Sequence, residues 1–373
     1  MQTLRRHASG YNFIGVPDTG LTVRWGSSVE TDPKRAPWPE LADISISNRC
    51  SKGCAFCYRD STPEGGLMTL DAYRYALESL TSPVWGPVFQ VALGGGEPLE
   101  HPDFLQMLDM TREKGIIANF TTNGDLLDET WAQALKGRVG AVAVSAQSTD
   151  ALPTRAIRLL SGAGIRTNLH FILSKSSLAQ AAELLEGKHD QALEGATGIV
   201  FLTHKPRGRA GKDDCLEYGG AEMGRFLELA RHSRSQIPIG FDACFVPPVL
   251  RHGCADPRTV DACECGFFSV YIDEGLNVKP CSFAPDDQDT WSLLEWDFQT
   301  IWNDFYANYR EDQSANVCGS PCLAHDHCRG VCPHFPEIAF CHTPSEEPCK
   351  KETTAACSPT ESRCSRRSSK SIA

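Results

Sequence analysis

Between residues 41 and 236 one pattern repeats six times: a short run rich in β-branched residues, then a stretch with apolar residues at helical spacing. The runs are LADISIS (41–47), VFQVAL (88–93), IIANFT (116–121), VGAVAVS (139–145), IRTNLHFIL (165–173) and GIVFLT (198–203). Short, nearly continuous apolar runs are what parallel strands buried on both faces require. The stretches 69–80, 102–115 and 153–164 read as helices, with Pro102 and Pro153 suited to first turns and Gly115 and Gly164 to C-terminal caps. Such alternation leaves an α/β barrel or an open parallel sheet, with its chemistry at the C-terminal ends of the strands.

The loops after the first four runs share one character. The first holds Cys50, Cys54 and Cys57; the next are GGGEP (94–98), TTNG (121–124) and SAQ (145–147). Three thiolates on one loop are a metal-binding arrangement that lacks a fourth protein ligand. A structural zinc site wants a closed tetrahedron, and the nearest histidine, His101, lies beyond a helix. A cubane iron–sulfur cluster held by three thiolates leaves one iron open to a small molecule. The glycine pair Gly95 and Gly96 suits close approach of backbone to a ligand.

The chain has 17 cysteines, 11 of them between residues 244 and 349. The N-terminus MQTLRRHASGYNFIG lacks the apolar core of a signal peptide, and no run of about 18 apolar residues occurs. A cytoplasmic protein with reduced thiols is expected, and clustered cysteines there point to metal. With 47 acidic against 36 basic residues the net charge is −11, which argues against general nucleic-acid binding. The basic run Lys205, Arg207, Arg209, Lys212 is the local exception. It reads as a solvated loop or as a place for an acidic peptide. From about residue 240 the segments are short and dense in Cys, Pro and Gly, with too few apolar runs for a second core, so metal staples are expected. Residues 350–373 are polar and Ser/Thr-rich and read as a disordered tail, with Cys357 and Cys364 as free thiols.

The Cys50, Cys54, Cys57 spacing followed by Tyr58, with GGEP at 95–98 after the second strand, resembles the radical S-adenosylmethionine enzymes. That resemblance implies a partial (β/α)6 TIM-like barrel at residues 41–240, after a lead-in at 1–40. It implies a cubane (4Fe–4S) cluster whose open iron takes S-adenosylmethionine, and a 5′-deoxyadenosyl radical formed by one-electron cleavage. It places Gly95, Gly96, Glu97 and Pro98 at the methionine amino group and Tyr58 against the adenine. Asn123, Ser145 and Gln147 fall on the ribose and carboxylate side, with Arg155 or Arg158 as the open choice for the carboxylate.

The stretches 263–281 and 318–332 resemble the SPASM extension of that family, here at 241–349, which holds two auxiliary cubane clusters. By that resemblance one cluster takes Cys254, Cys263, Cys281 and Cys332, and the other Cys318, Cys322, Cys328 and Cys349. Cys265 competes with Cys263, and Cys341 with Cys349. A zinc-knuckle scaffold is the rival, kept open by His325, His327 and His334.

Two-cluster members of the family modify peptides or proteins by cross-linking, oxidation or epimerisation, which makes a peptide maturase the expected activity. The implied partners are a peptide or protein substrate and an electron donor such as flavodoxin or ferredoxin. Ser282 stands where sulfatase-maturing enzymes carry an aspartate base, which disfavours formylglycine formation. A small-molecule radical dehydrogenase or rearrangement enzyme stays open. A non-catalytic iron–sulfur carrier does not account for GGEP beside the open cysteine loop. Only 40 residues precede the first run, too few for the separate peptide-recognition domain that many ribosomal-peptide maturases carry.

Overall fold

The computed structural model describes residues 2–218, 220–256, 260–315, 329 and 332–335. All six anticipated runs are strands: Leu41–Ser47, Gln90–Gly95, Ile117–Thr122, Ala141–Ala146, Arg166–Leu173 and Gly198–Thr203. They lie side by side in chain order, every pairing parallel. Helices Leu70–Ser79, Phe104–Glu113 and Thr154–Gly162 fill three of the crossovers. Gly115 and Gly164 follow two of them in the left-handed region, at φ 75° and 78°, where a glycine ends a helix without strain. Strand alternation divides the faces. Ala42, Ile44 and Ile46 are fully buried in the apolar core that also takes in Leu77 and Phe104 from the helices, so Asp43, Ser45 and Ser47 point into the barrel.

Both edges of this sheet are extended from the region beyond residue 238. Ile239–Phe241 adds a parallel strand beside the sixth. On the other edge Ser269–Ile272 pairs in parallel with the first strand, matching Tyr271 to Asp43. Asn277–Lys279 and Trp291–Ser292 follow antiparallel, giving ten strands in this sheet among the described residues. The apolar residues of this region, among them Val270, Ile272, Phe298, Ile301 and Trp302, enlarge the barrel's own core. Among the described residues, Val246 and Leu250 form a small cluster apart from it.

The first 40 residues hold more structure than a lead-in suggests. Leu4–Ala8, Tyr11–Val16 and Leu21–Trp25 form a three-stranded antiparallel sheet. Buried Arg6 fastens it to the barrel. Its guanidinium donates to the main-chain oxygens of Trp38 and Pro39 at 2.9 Å, Trp85 at 3.0 Å and Pro87 at 2.6 Å. These carbonyls precede the first two barrel strands, so this sheet closes the end opposite the cysteine loop. Among the described residues no helix is long and apolar enough to cross a membrane.

Candidate functional site

The three-cysteine loop leaves the first strand at Ser47 and folds back on itself. Asn48 N–H donates to Gly66 O at 2.7 Å, and Cys50 N–H to Thr62 O at 2.9 Å. Cys50, Cys54 and Cys57 are reduced and partly exposed. Burial pushes the Cys50 and Cys54 thiols up, and each is raised further by the charge of its fellow cysteines, so the three are neighbours. Among the described residues no three Cys, His, Asp or Glu side chains close around a single ion. A closed zinc tetrahedron needs its sulfurs on one metal at about 2.3 Å. A cubane spreads its thiolates over separate irons, and the donor set of three thiols on one loop fits that group.

Two further loops lock this one. Gly96 N–H donates to Ser47 O at 2.6 Å, and Glu97 N–H to Arg49 O at 2.8 Å. A side chain on Gly95 would sit 2.1 Å from Ser47 O, and one on Gly96 2.0 Å from Arg49 O. The glycine pair is therefore required by the neighbouring backbone, whereas a Cβ on Gly94 would meet nothing within 4 Å. Pro98 begins the short turn Pro98–Glu100. Glu97 is 1% exposed, and its carboxylate accepts from Leu99 N–H at 3.1 Å, Thr122 Oγ1 at 2.7 Å and Asn123 N–H at 2.8 Å. Burial pushes this carboxyl up against those three donors. Asn123 Nδ2 in turn donates to Cys50 Sγ at 4.0 Å. Glu100 accepts from Ser51 N–H at 2.9 Å, and Lys52 pairs with Asp125 at 2.9 Å. Loops after the first, second and third strands thus form one unit around the thiols.

Other expected residues are placed less directly. Ser145 lies at the end of the fourth strand, in register with His170, and Gln147 follows it, both partly exposed. Arg155 points elsewhere: it donates to Leu127 O at 2.8 Å and pairs with Glu129 at 3.7 Å, and Arg158 is exposed on the same outer helix. The Tyr58 ring packs on Phe283 with centroids 4.5 Å apart, and its hydroxyl bonds Ser282.

The basic run is tied down rather than solvated. Arg209 donates to Cys54 O at 2.9 Å, Asp60 Oδ1 at 2.8 Å and Ser61 O at 2.9 Å. Arg207 donates to the main-chain oxygens of Phe283 and Ala284. Lys205 is buried against Asp242 at 3.4 Å. Composition shows the cations there, while only the fold shows the long-range partners of Lys205, Arg207 and Arg209.

A second group of thiols lies beyond this run. Cys244, Cys263, Cys265, Cys281 and Cys332 line one cavity together with Lys205. Cys254, expected in this set, is not on that wall. Its thiol donates to Leu227 O at 3.3 Å, and the residue packs against the apolar core. Cys244, to which the sequence assigns no role, is on the cavity wall instead. Cys318, Cys322, Cys328 and Cys349 lie outside the described residues.

Comparison with known proteins agrees with this geometry. Residues 44–186 match the radical SAM superfamily model. The antilisterial bacteriocin subtilosin biosynthesis protein AlbA of Bacillus subtilis is 23% identical over 285 residues, 72% of this chain and 60% of AlbA. This chain therefore spans less than two thirds of AlbA's length. The mycofactocin maturase MftC of Mycobacterium tuberculosis is 26% identical over 310 residues, 77% of this chain and 76% of MftC. The fold is shared with Streptococcus suis SuiB, solved bound to precursor peptide SuiA, at a TM-score of 0.63 and 17% identity over 80% of this chain and 73% of SuiB. Residues 44–186, which hold the three-cysteine loop and the GGEP turn, are a radical SAM domain.

Proposed function

We propose that this enzyme cleaves S-adenosylmethionine reductively and uses the radical to modify a peptide or protein. The observation that carries the proposal is the closure of three strand-end loops around Cys50, Cys54 and Cys57, through Glu97 and Asn123. Those three thiolates would hold a cubane cluster, with S-adenosylmethionine over Gly95–Pro98 and beside Asn123, Ser145 and Gln147. Bound there, the two groups supply a 5′-deoxyadenosyl radical that abstracts hydrogen from substrate. The protein's own part is positional: it fixes the loop, excludes water and holds the target carbon near the adenosyl group. The relatives AlbA and MftC, named for bacteriocin biosynthesis and maturation of mycofactocin, support a peptide substrate.

The finer reading assigns residues 241–349 to an extension with two auxiliary cubane clusters after a barrel at 41–240, and 350–373 to a tail. The thiol-lined cavity supports one of those clusters. A cytoplasmic location and a flavodoxin or ferredoxin as electron donor belong to the same reading. Ser282, engaged by Tyr58, supplies no carboxylate base, which weighs against formylglycine formation.

The test is turnover by anaerobically reconstituted protein given reductant, S-adenosylmethionine and short peptides encoded beside its gene. Formation of 5′-deoxyadenosine that Cys54→Ala abolishes is expected, with a peptide losing about two mass units per bond formed, since two hydrogens leave. Turnover stimulated by a small metabolite and by no peptide would overturn the substrate class.

A further inference from the structure

The five cavity thiols reach one place from distant parts of the chain, and four of them are held there by local structure. Cys244 sits in the turn Ala243–Phe245, capped by Asp242, which accepts from Phe245 N–H at 3.1 Å. Asp242 is itself fixed by Thr203, through N–H at 3.0 Å and Oγ1 at 2.7 Å. Cys263 and Cys265 precede the strand Ser269–Ile272, and Cys281 follows Asn277–Lys279. The Cys265 thiol hydrogen-bonds the sulfurs of both Cys263 and Cys281, all three being free cysteines. Cys281 Sγ also accepts Phe283 N–H at 3.3 Å, the kind of backbone bond that stabilises a cluster thiolate.

Arg329 lines this wall, and so does the more deeply buried cation, Lys205. It is 4% exposed, its Nζ stands 4.3 Å from the centre of the Phe283 ring, and its side chain bonds Cys244. A buried ammonium is tolerated only beside compensating negative charge. Asp242 supplies one such charge, at 3.4 Å, and a cluster held by the cavity thiols would supply more. A cage of several thiolates needs a buried cation for the same reason, so each explains the other's burial.

We propose that this cavity is an iron–sulfur site ligated by Cys244, Cys281, Cys332 and one thiolate of the Cys263–Cys265 pair, with Lys205 as its fixed counter-cation. The proposal rests on the reading that the extension carries clusters, and it replaces Cys254 with Cys244. A fixed positive charge beside a cluster favours its reduced form, so Lys205 raises the reduction potential.

The experiment uses the full chain carrying Cys50→Ala, Cys54→Ala and Cys57→Ala, so that only auxiliary iron is counted after anaerobic reconstitution. Adding Cys244→Ala removes about four irons per chain, one cubane, while adding Cys254→Ala removes none. Lys205→Met keeps the iron and moves the midpoint potential, read by EPR in a redox titration, to a more negative value. If Cys244→Ala loses its far-UV spectrum, Cys244→Ser replaces it. An oxygen ligand then shifts the EPR g-values, and Cys254→Ser does not. Iron lost with Cys254 and kept without Cys244, stoichiometric zinc, or an unmoved potential in Lys205→Met overturns the proposal. A triple variant that binds no iron overturns the auxiliary-cluster reading itself, whereas 5′-deoxyadenosine formation by the wild type tests the radical chemistry separately.

Discussion

Arg209 Nε donates to the main-chain oxygen of Cys54 at 2.9 Å, joining residues 155 positions apart. The same guanidinium reaches Asp60 and Ser61 O, so one side chain spans the cysteine loop from its middle to its end. The loop after the sixth strand is thus a brace for the loop after the first. Arg209→Ala should cost about 2 kcal/mol of unfolding free energy, as loss of charge-assisted bonds to half-buried carbonyls does. Arg209→Lys should recover less than half of it, because an ammonium lacks the planar fork that serves several acceptors. Urea unfolding of the three proteins checks this, and equal stability of all three would refute the brace.

Glu97 makes a sharper case, because all three of its partners are donors. Glu97→Gln keeps the shape and brings an NH2 that faces either an N–H group or a hydroxyl already committed as donor. The expected loss is about 1–3 kcal/mol, the usual result when a buried donor loses its acceptor. Affinity for S-adenosylmethionine, measured on the reconstituted protein, should fall along with stability. A variant of unchanged stability would mean the three loops do not depend on this carboxylate.

How far the sequence reaches is best judged from particular residues. The six strands were legible because each is a short β-branched run between turn signals, and burial on both faces leaves no other periodicity. The cysteine loop was legible through spacing within eight residues. Arg209, Lys205 and Cys244 were not, since their roles depend on contacts between distant segments, and nothing local in KPRGR separates a brace from a solvated loop. The strand Ser269–Ile272 was passed over for a related reason. Its four residues sit among cysteines, and its pairing partner is the first strand, more than 220 residues earlier. The sequence suggests that Gly95 and Gly96 serve close approach to a ligand, whereas the group they meet in the fold is the backbone of Ser47 and Arg49.

That glycine geometry yields a paired prediction. A Cβ on Gly208 would lie 2.5 Å from Cys57 O, and Gly208 has φ 62°. Gly208→Ala should therefore push on the cysteine loop and add backbone strain of about 1 kcal/mol or more. Gly94→Ala faces open space and should fold with wild-type stability. If S-adenosylmethionine over Gly95–Pro98 extends to Gly94, the added methyl should weaken its binding by a factor of ten or so, about 1.4 kcal/mol. Thermal melts of the apo proteins and binding isotherms of the reconstituted ones separate the two effects. Equal damage to folding by both substitutions would contradict the geometry.

Asp43 points into the barrel from the first strand, in register with Tyr271. Burial pushes its carboxyl up to about 7, with Arg59 acting in the opposite direction. Arg59 gives only partial relief because its Nη2 is committed to Glu274 at 2.6 Å. Since the folded value exceeds the ordinary 3.8, the folded chain holds this proton more tightly than the unfolded chain does. Stability from this group is therefore fully present below about pH 4, declines as pH rises toward 7, and is level above that. Glu40, also pushed up to about 7 by burial, contributes a similar slope, and His170, lowered to about 4, contributes an opposite one. Both remain in an Asp43→Asn variant and cancel in the difference between the two proteins. The variant should gain on the wild type by roughly 2 kcal/mol between about pH 4.5 and 8, half of the full linkage because the carboxyl is partly open to the barrel interior. Urea unfolding of both apo proteins across that range provides the measurement. Stability curves that run parallel with pH would show that Asp43 titrates in the folded protein as it does in the unfolded chain.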